Sequence, residues 1–408
     1  MILKNRYVQS ILLSHVLLQL GIWIRNFAIL LYVTDLTNND PYYVSLISVV
    51  EFAPIFVFSI IGGTFADRWR PKRTMVWCDL LSALSVFVVL VTLVYGSWYA
   101  VFFATFISAI LSQFSQPSAM KLFKQHVAED KLQGVMAMFQ SMMAIFMVIG
   151  PMLGTFVYQR FGIEISIGVM GAMFLASALV LAFLPPDTVT EDNQTDRNFS
   201  RELRDGIRYV WNNPTLKTLA GMFAAAGLAV GLIQPLMIFV TTENLGKSKD
   251  FLQWLLMANG AAMLVGGGLV MAVAKKVSPE KLLAAGLISS VITTMVIGWS
   301  TSAPVTIAAQ AIAGLFFPCI HIGINTLMLK NTEQSFIGRV NGVMNPMFMG
   351  FMVIGMSLSG VFKSNMSLFA VSCIAGLLFA AGAIMLGPLF KQGASHKSPA
   401  EKADPSTV

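Results

Sequence analysis

The amino-acid sequence predicts an all-α membrane protein with twelve transmembrane helices in two six-helix pseudo-repeat bundles, and three observations predict it. Of 408 residues, 56% are hydrophobic and only 12% charged, with a mean hydropathy of +0.72, whereas soluble domains carry about 25% charged residues. The apolar residues fall into twelve runs, each near the roughly 20 residues that a bilayer-crossing helix needs. One long polar stretch, 185–213, lies midway and leaves six runs on either side. This composition excludes an ordinary soluble enzyme. It equally excludes a disordered chain, in which low hydrophobicity and high charge prevent burial.

The elements follow from polar clusters and Pro/Gly punctuation. The N-terminus is basic and then apolar; the run from Val8 to Val33 exceeds a signal-peptide core and lacks a small-residue cleavage site, so 8–34 is span one. Span two, 42–66, carries Glu51 just before Ala53-Pro54 and stops at a charged loop that ends in Arg73. Span three, 74–95, opens behind that loop and contains Asp79; spans four to six are 98–122, 131–158 and 163–184. They complete an N-terminal bundle, 1–184. The cytoplasmic linker, 185–213, places Phe199, Leu203, Ile207 and Val210 at separations of four, four and three, the pattern of an amphipathic helix lying along the membrane surface. Asn213-Pro214 ends it. Spans seven to twelve are 215–241, 251–274, 281–299, 302–329, 338–362 and 366–390, forming a C-terminal bundle, 214–390, before a disordered polar tail, 391–408.

The net charge of +7 is explained by topology. With a cytoplasmic N-terminus, all but five of the 27 Lys and Arg residues fall in inner segments; Arg160, Lys247, Lys249 and Lys363 lie in outer loops and Arg25 lies inside span one. The positive-inside rule therefore puts both termini in the cytoplasm. A nucleic-acid partner loses its motivation. The halves also echo each other at an offset of 208 residues. Ala66 to Arg73 aligns with Ala274 to Lys281, sharing Ala, Pro and a final cation, and Gly134-Val135-Met136 aligns with Gly342-Val343-Met344. Parallel repeats of this kind put a binding site at the midplane between halves.

Cys78, Cys319 and Cys373 sit in apolar runs without CxxC spacing or a His cluster, so no disulfide framework and no metal site is indicated. No cofactor is implied. No HExxH, paired intramembrane Asp motif or GxSxG with a partnered His points to an enzyme, and no GxxxxGK[ST] loop points to ATP-driven transport.

Ionisable groups inside spans cost roughly 2.5 to 3.5 kcal/mol each on insertion scales, which makes them functional candidates. They are His15, Arg25, Glu51, Asp79 and His321. Glu51, about ten residues into its span, is the first candidate for proton coupling, because a carboxyl that alternates between charged and neutral can exchange a proton for a polar or cationic substrate. The alternative is a permanent pair with Arg25. Asp79 is a second coupling candidate or the partner of a loop cation, and Arg25 either attracts an anionic substrate group or neutralises Glu51. His15, Gln19 and Asn26 share one face of span one, and Gln310, Gly314, His321 and Asn325 form a stripe on span ten. With Gln234-Pro235, Asn341 and Asn345-Pro346 they are substrate-cavity or hinge candidates, although interhelical hydrogen bonds would give the same pattern. The 25 Met and 30 Phe residues suit a broad apolar pocket, and Phe317 and Phe348 are among those that could line it.

Specific motifs now carry a resemblance. Gly62-Gly63-Thr64-Phe65-Ala66-Asp67-Arg68-Trp69-Arg70-Pro71-Lys72-Arg73 resembles the G-x-x-x-D-R-x-G-R-[KR]-[KR] loop of the major facilitator superfamily, with Arg70 where the family has Gly. The resemblance implies a conformational lock at Gly63, Asp67, Arg68 and Arg73, with the Asp facing the first turn of span eleven. Gly150-Pro151-Met152-Leu153-Gly154 is similar to the G-P-x-x-G core of exporters in the superfamily, with Phe146 and Thr155 where the fuller pattern has Gly. The run Leu203, Gly206 to Val210 and the triplet Gly338-Arg339-Val340 resemble the macrolide-efflux-like branch; the span-four Arg of many drug–proton antiporters is absent. The resemblance implies the major facilitator fold, a monomer in a bacterial-type cell membrane, and proton antiport that exports an amphipathic small molecule. A lipid or lysolipid flippase and a small-solute importer are the alternatives within the fold; a non-transporting receptor or scaffold is disfavoured by the lack of a sizeable soluble domain.

Overall fold

The computed structural model describes residues 5–185, 199–273 and 276–389, with backbone alone at 59–68 and 199–200. The expected tail, 391–408, and the first part of the linker lie outside the described residues. Thirteen α-helices and no strand occur among those described: α1 (Arg6–Leu36), α2 (Pro41–Arg68), α3 (Pro71–Val94), α4 (Ala100–His126), α5 (Glu129–Ala182), α6 (Phe199–Asn212), α7 (Pro214–Ile233), the short α8 (Met237–Phe239), α9 (Leu252–Val273), α10 (Pro279–Trp299), α11 (Ala303–Lys330), α12 (Ile337–Asn365) and α13 (Leu368–Ile384). Hydrocarbon offers no partner for a backbone N–H or C=O, and a helix satisfies both internally. Eleven helical stretches among the described residues are long and apolar enough to cross a membrane.

One of the eleven, α5, runs for 54 residues, about 80 Å at 1.5 Å per residue, against a hydrocarbon core of about 30 Å. It is broken at Gly162, where φ is 77° and ψ −176°, a backbone shape that is essentially restricted to glycine. The sequence places a loop between 158 and 163. Helical turns instead continue to Gly162, and one residue takes up the break.

Helix ends follow local chemistry. Asn5 caps α1 by accepting from the Tyr7 amide, and its Nδ2 donates to the His126 carbonyl at 2.7 Å, tying the start of α1 to the end of α4. Asn213 accepts from the amides of Thr215 and Leu216, with Pro214 at the first turn, so the expected Asn-Pro break is also the cap of α7. Past Ile233, a 3-10 turn over Gln234–Leu236 and a π-turn over Val240–Asn244 interrupt the span expected at 215–241.

The packing inverts the soluble pattern. On α3, Trp77, Leu81, Leu84, Val88 and Val91 recur at separations of four, three, four and three, and all are exposed, whereas Asp79 and Ser82 are buried. That is the arrangement of a helix whose apolar stripe meets lipid and whose polar groups meet protein. Small residues set the closest approaches. Gly227 and Gly231 of α7 lie against the Phe348 and Met352 carbonyls of α12, where any Cβ would collide. Between the two halves of the chain, α2 packs along α12 and α5 along α9. Gly360 of α12 meets the Pro41 carbonyl, and Gly260 of α9 meets the Met147 carbonyl.

Helix α6 lies within the linker expected at 185–213. Val210 and Gly206 are buried against α7 and α12, while Ile207, placed on the apolar face by spacing, is exposed. Protein contacts take up Val210 and part of Leu203.

Candidate functional site

The arginine on α1 and the glutamate on α2 are joined through a third residue. Asn26 accepts from Arg25 Nε at 2.9 Å and from a terminal guanidinium nitrogen at 2.7 Å, and its Nδ2 donates to Glu51 Oε1 at 2.7 Å. The orientation of the amide is dictated by its neighbours, since a flip would set NH2 against guanidinium donors and C=O against a carboxylate. Another guanidinium nitrogen donates to the Ser108 hydroxyl on α4, which in turn donates to the Thr105 carbonyl. Arg25 is 3% exposed. Three helices thus converge on a charged, hydrogen-bonded cluster in the middle of the first half. The direct Arg25–Glu51 pair expected as an alternative is replaced by this bridge. Ser108 was missed because serine is common in spans and only the helix crossing makes it a ligand of Arg25.

Asp79 stands apart from that cluster. The Ser177 hydroxyl donates to its Oδ2 at 2.6 Å, Ser177 and Ser14 share a hydrogen bond of 2.7 Å, and all three residues are buried. The chain Ser14–Ser177–Asp79 joins α1, α5 and α3. Lys72 reaches the other way and donates to the Ala182 and Leu184 carbonyls at the end of α5, where a cation meets the negative end of the helix. Of the lock candidates, Arg73 is exposed, the side chains of Asp67 and Arg68 lie outside the described residues, and Gly63 is described by its backbone alone.

The Gly150-Pro151-Gly154 segment acts on α1. Trp23 fills the space above Gly150, and a Cβ on Gly154 would stand 2.7 Å from both the Trp23 carbonyl oxygen and Phe27 Cβ. Glycine therefore lets α5 seat directly on the turn that carries Arg25 and Asn26.

The remaining candidates separate. His15 lies over Phe139, ring centroids 4.0 Å apart, with its buried Nε2 lacking a hydrogen-bond partner; Gln19 is half-buried. His321 is surrounded by Phe317, Phe348 and Phe223 at 5.0, 5.4 and 6.1 Å between ring centroids. Gln310 is not open to a cavity: its Oε1 accepts from Asn259 at 3.1 Å and its Nε2 approaches Met237 Sδ at 3.3 Å, locking α8, α9 and α11 together. Asn325 and Asn341 are half-buried, and Gln234 and Asn345 are exposed.

At the end of the structure that carries the 37–40 turn, Asp35 binds Lys249 Nζ at 2.5 Å and accepts from the Tyr158 hydroxyl at 3.3 Å. With Gly360 seated on Pro41, these contacts join the two halves of the chain at that end. Between α5 and α9 lies a cavity of about 410 Å³, lined by Val148, Phe251, Trp254, Met257, Ala258, Ala261 and Ile307.

Comparison with known proteins places this arrangement. A profile of the Major Facilitator Superfamily matches residues 11–242 and 219–407. The chain is 27% identical over 371 residues to the MFS-type transporter YkuC of Bacillus subtilis, covering 88% of this chain and 85% of that one. It is 24% identical to macrolide efflux protein A of Streptococcus pyogenes, covering 83% and 84%, and 24% identical to the multidrug efflux pump Tap of Mycolicibacterium fortuitum, covering 79% and 81%. Among solved structures it superposes on the nucleoside transporter NupG with a TM-score of 0.77 at 12% identity, covering 95% of this chain and 100% of that one. The chain belongs to the Major Facilitator Superfamily of membrane transporters and within it resembles the macrolide-efflux-like branch.

Proposed function

We propose that the protein is a proton-coupled antiporter that exports an amphipathic small molecule by alternating access. The observation that carries this reading is the Arg25–Asn26–Glu51 bridge, in which the guanidinium is buried and the amide and carboxylate are half-buried. A carboxylate held through a neutral amide, not clamped directly by the guanidinium, can take up a proton without breaking an ion pair. Protonation would weaken the Asn26–Glu51 bond and loosen α2 against α1; a cationic or polar substrate near Glu51 would favour release of the proton. One proton crossing 100 mV supplies about 2.3 kcal/mol.

In this reading the helices form twelve spans, with α5 contributing two, one on each side of Gly162, in two bundles of six that meet along α2/α12 and α5/α9. The cation distribution puts both termini in the cytoplasm. The Asp35–Lys249–Tyr158 contacts then hold the two halves together at the outer end. The Phe223–Phe317–Phe348 set around His321 supplies an apolar, polarisable wall for the substrate, and a single chain holds the whole apparatus.

A lysolipid flippase is the second reading, favoured by the apolar lining of the cavity between α5 and α9. Everted vesicles energised to an acidic interior separate the two. Dye dequenching on addition of macrolides or lipophilic cations is the expected result. A response to lysolipids alone supports the flippase, and no response to any compound removes the exporter reading.

A further inference from the structure

Helix α6 has one covered side and one bare side. The covered side is Leu203, Gly206 and Val210. A Cβ on Gly206 would stand 2.7 Å from the Arg339 carbonyl oxygen of α12, the Tyr209 ring stacks on Phe336 at 4.4 Å, and the Tyr209 hydroxyl accepts from the Glu333 amide. The helix is therefore fixed in rotation about its own axis. With that rotation fixed, Arg204, Ile207, Arg208 and Trp211, spaced i, i+3, i+4 and i+7, share the opposite side, with Arg201 one turn before Arg204 and beside it. All five are exposed; Ile207 is 45% and Trp211 54% exposed. Glu202 and Asp205 stand on the flank away from Ile207 and Trp211 and are half-buried. Trp211 lies three residues before Pro214, the first residue of a membrane-spanning helix, which holds the end of α6 at the level of the bilayer surface.

We infer that this face is a binding surface for anionic phospholipid headgroups. The three guanidiniums supply the charge complement. Trp211 and Ile207 supply the amphipathic and apolar contacts that sit at the boundary between headgroups and acyl chains. Arginine forks match phosphate oxygens bidentately, and basic helices next to membrane spans gather acidic lipids. The occupant is the surrounding bilayer, because Trp211 is tethered at its surface and a soluble partner would have to dislodge lipid to reach the same residues. Since Gly206 and Tyr209 seat α6 on the first turn of α12, lipid held there is coupled mechanically to the helix that packs against α2.

The test uses the purified full-length protein titrated with an equimolar mixture of phosphatidylglycerol and phosphatidylcholine, with retained lipid read by native mass spectrometry. Wild-type protein is expected to retain phosphatidylglycerol about fivefold or more over phosphatidylcholine, and Arg201→Gln/Arg204→Gln/Arg208→Gln to fall to about equal retention. The corresponding triple Lys variant, which keeps the charge, is expected to retain most of the preference. Raising salt on the wild-type protein must lower the preference if the contact is electrostatic, and this measurement holds even if the Gln variant fails to fold. No preference in the wild type, a preference that survives the triple Gln change, or one that ignores salt overturns the inference, and survival leaves the face to a soluble partner.

Discussion

The amide nitrogen of Asn26 donates to Glu51 Oε1 at 2.7 Å, and the same side chain accepts two bonds from Arg25. One neutral residue thus satisfies two charged ones. Asn26→Ala removes all three hydrogen bonds and leaves a guanidinium and a carboxylate short of partners inside the bilayer. Hydrogen bonds to charged groups contribute about 1.5–3 kcal/mol, so a loss of roughly that size or more is expected. Thermal unfolding in detergent, compared with wild type, checks it. An unchanged midpoint contradicts the bridge.

Asp79 is expected to be structural. Its recorded partner is a hydroxyl, so Asp79→Asn keeps an acceptor for Ser177, and the cost should stay within about 1 kcal/mol. Asp79→Ala leaves the Ser177–Ser14 chain without its terminal acceptor and should cost about 1–3 kcal/mol. Substrate-driven proton movement by the Asn variant, matched to wild type for expression, is expected to be intact.

Gly154 of α5 bears directly on α1, the helix that carries Arg25 and Asn26. A methyl at Gly154 would meet a backbone oxygen, that of Trp23, which cannot swing aside. Gly154→Ala is therefore expected to cost about 1–3 kcal/mol and to push α5 away from α1. A neighbouring exposed position, Met152→Ala, serves as the contrast and should fall within about 0.5 kcal/mol. Scanning fluorimetry on the two variants reads the difference.

The Asp35–Lys249 pair is partly exposed, with side-chain exposures of 56% and 20%. Exposed pairs contribute at most about 1 kcal/mol. Lys249→Gln is then expected to raise the population opened at that end by up to about fivefold. Spin labels at Thr37 and Lys247, read by pulsed dipolar spectroscopy, should gain a longer-distance component in the variant. Identical distance distributions would show that the pair does not hold the end shut.

Much of the fold is legible in the sequence because hydropathy acts on whole segments. Runs such as 281–299 and 302–329 are long, uniform and bounded by Ser, Pro or Lys, so their helices fall close to where hydropathy and punctuation put them. The site is only partly legible. Arg25, Asn26 and Glu51 stand out singly, since each is costly or unusual in a span, but the sequence carries no crossing angle for α1, α2 and α4. The order guanidinium–amide–carboxylate and the role of Ser108 follow from that crossing alone. The same limit explains Gln310, which looks like a cavity group on its stripe yet faces Asn259 of α9. On α6 spacing alone does not separate Val210, which is buried, from Ile207, which is exposed. Gly206, weightless on a hydropathy scale, is the residue that permits docking on α12, and that docking turns Ile207 outward.

The central claim is that Glu51 carries the exchanged proton. Glu51→Gln preserves an oxygen that can accept from Asn26, so the protein should fold and bind substrate while losing the ability to ionise at that position. In everted vesicles with an acidic interior, a compound that produces dye dequenching with wild-type protein is expected to produce none with the Gln variant at equal expression, while binding of that compound to the purified variant persists. Equal dequenching by the two proteins would contradict the account and leave Glu51 as a helix-locking acceptor.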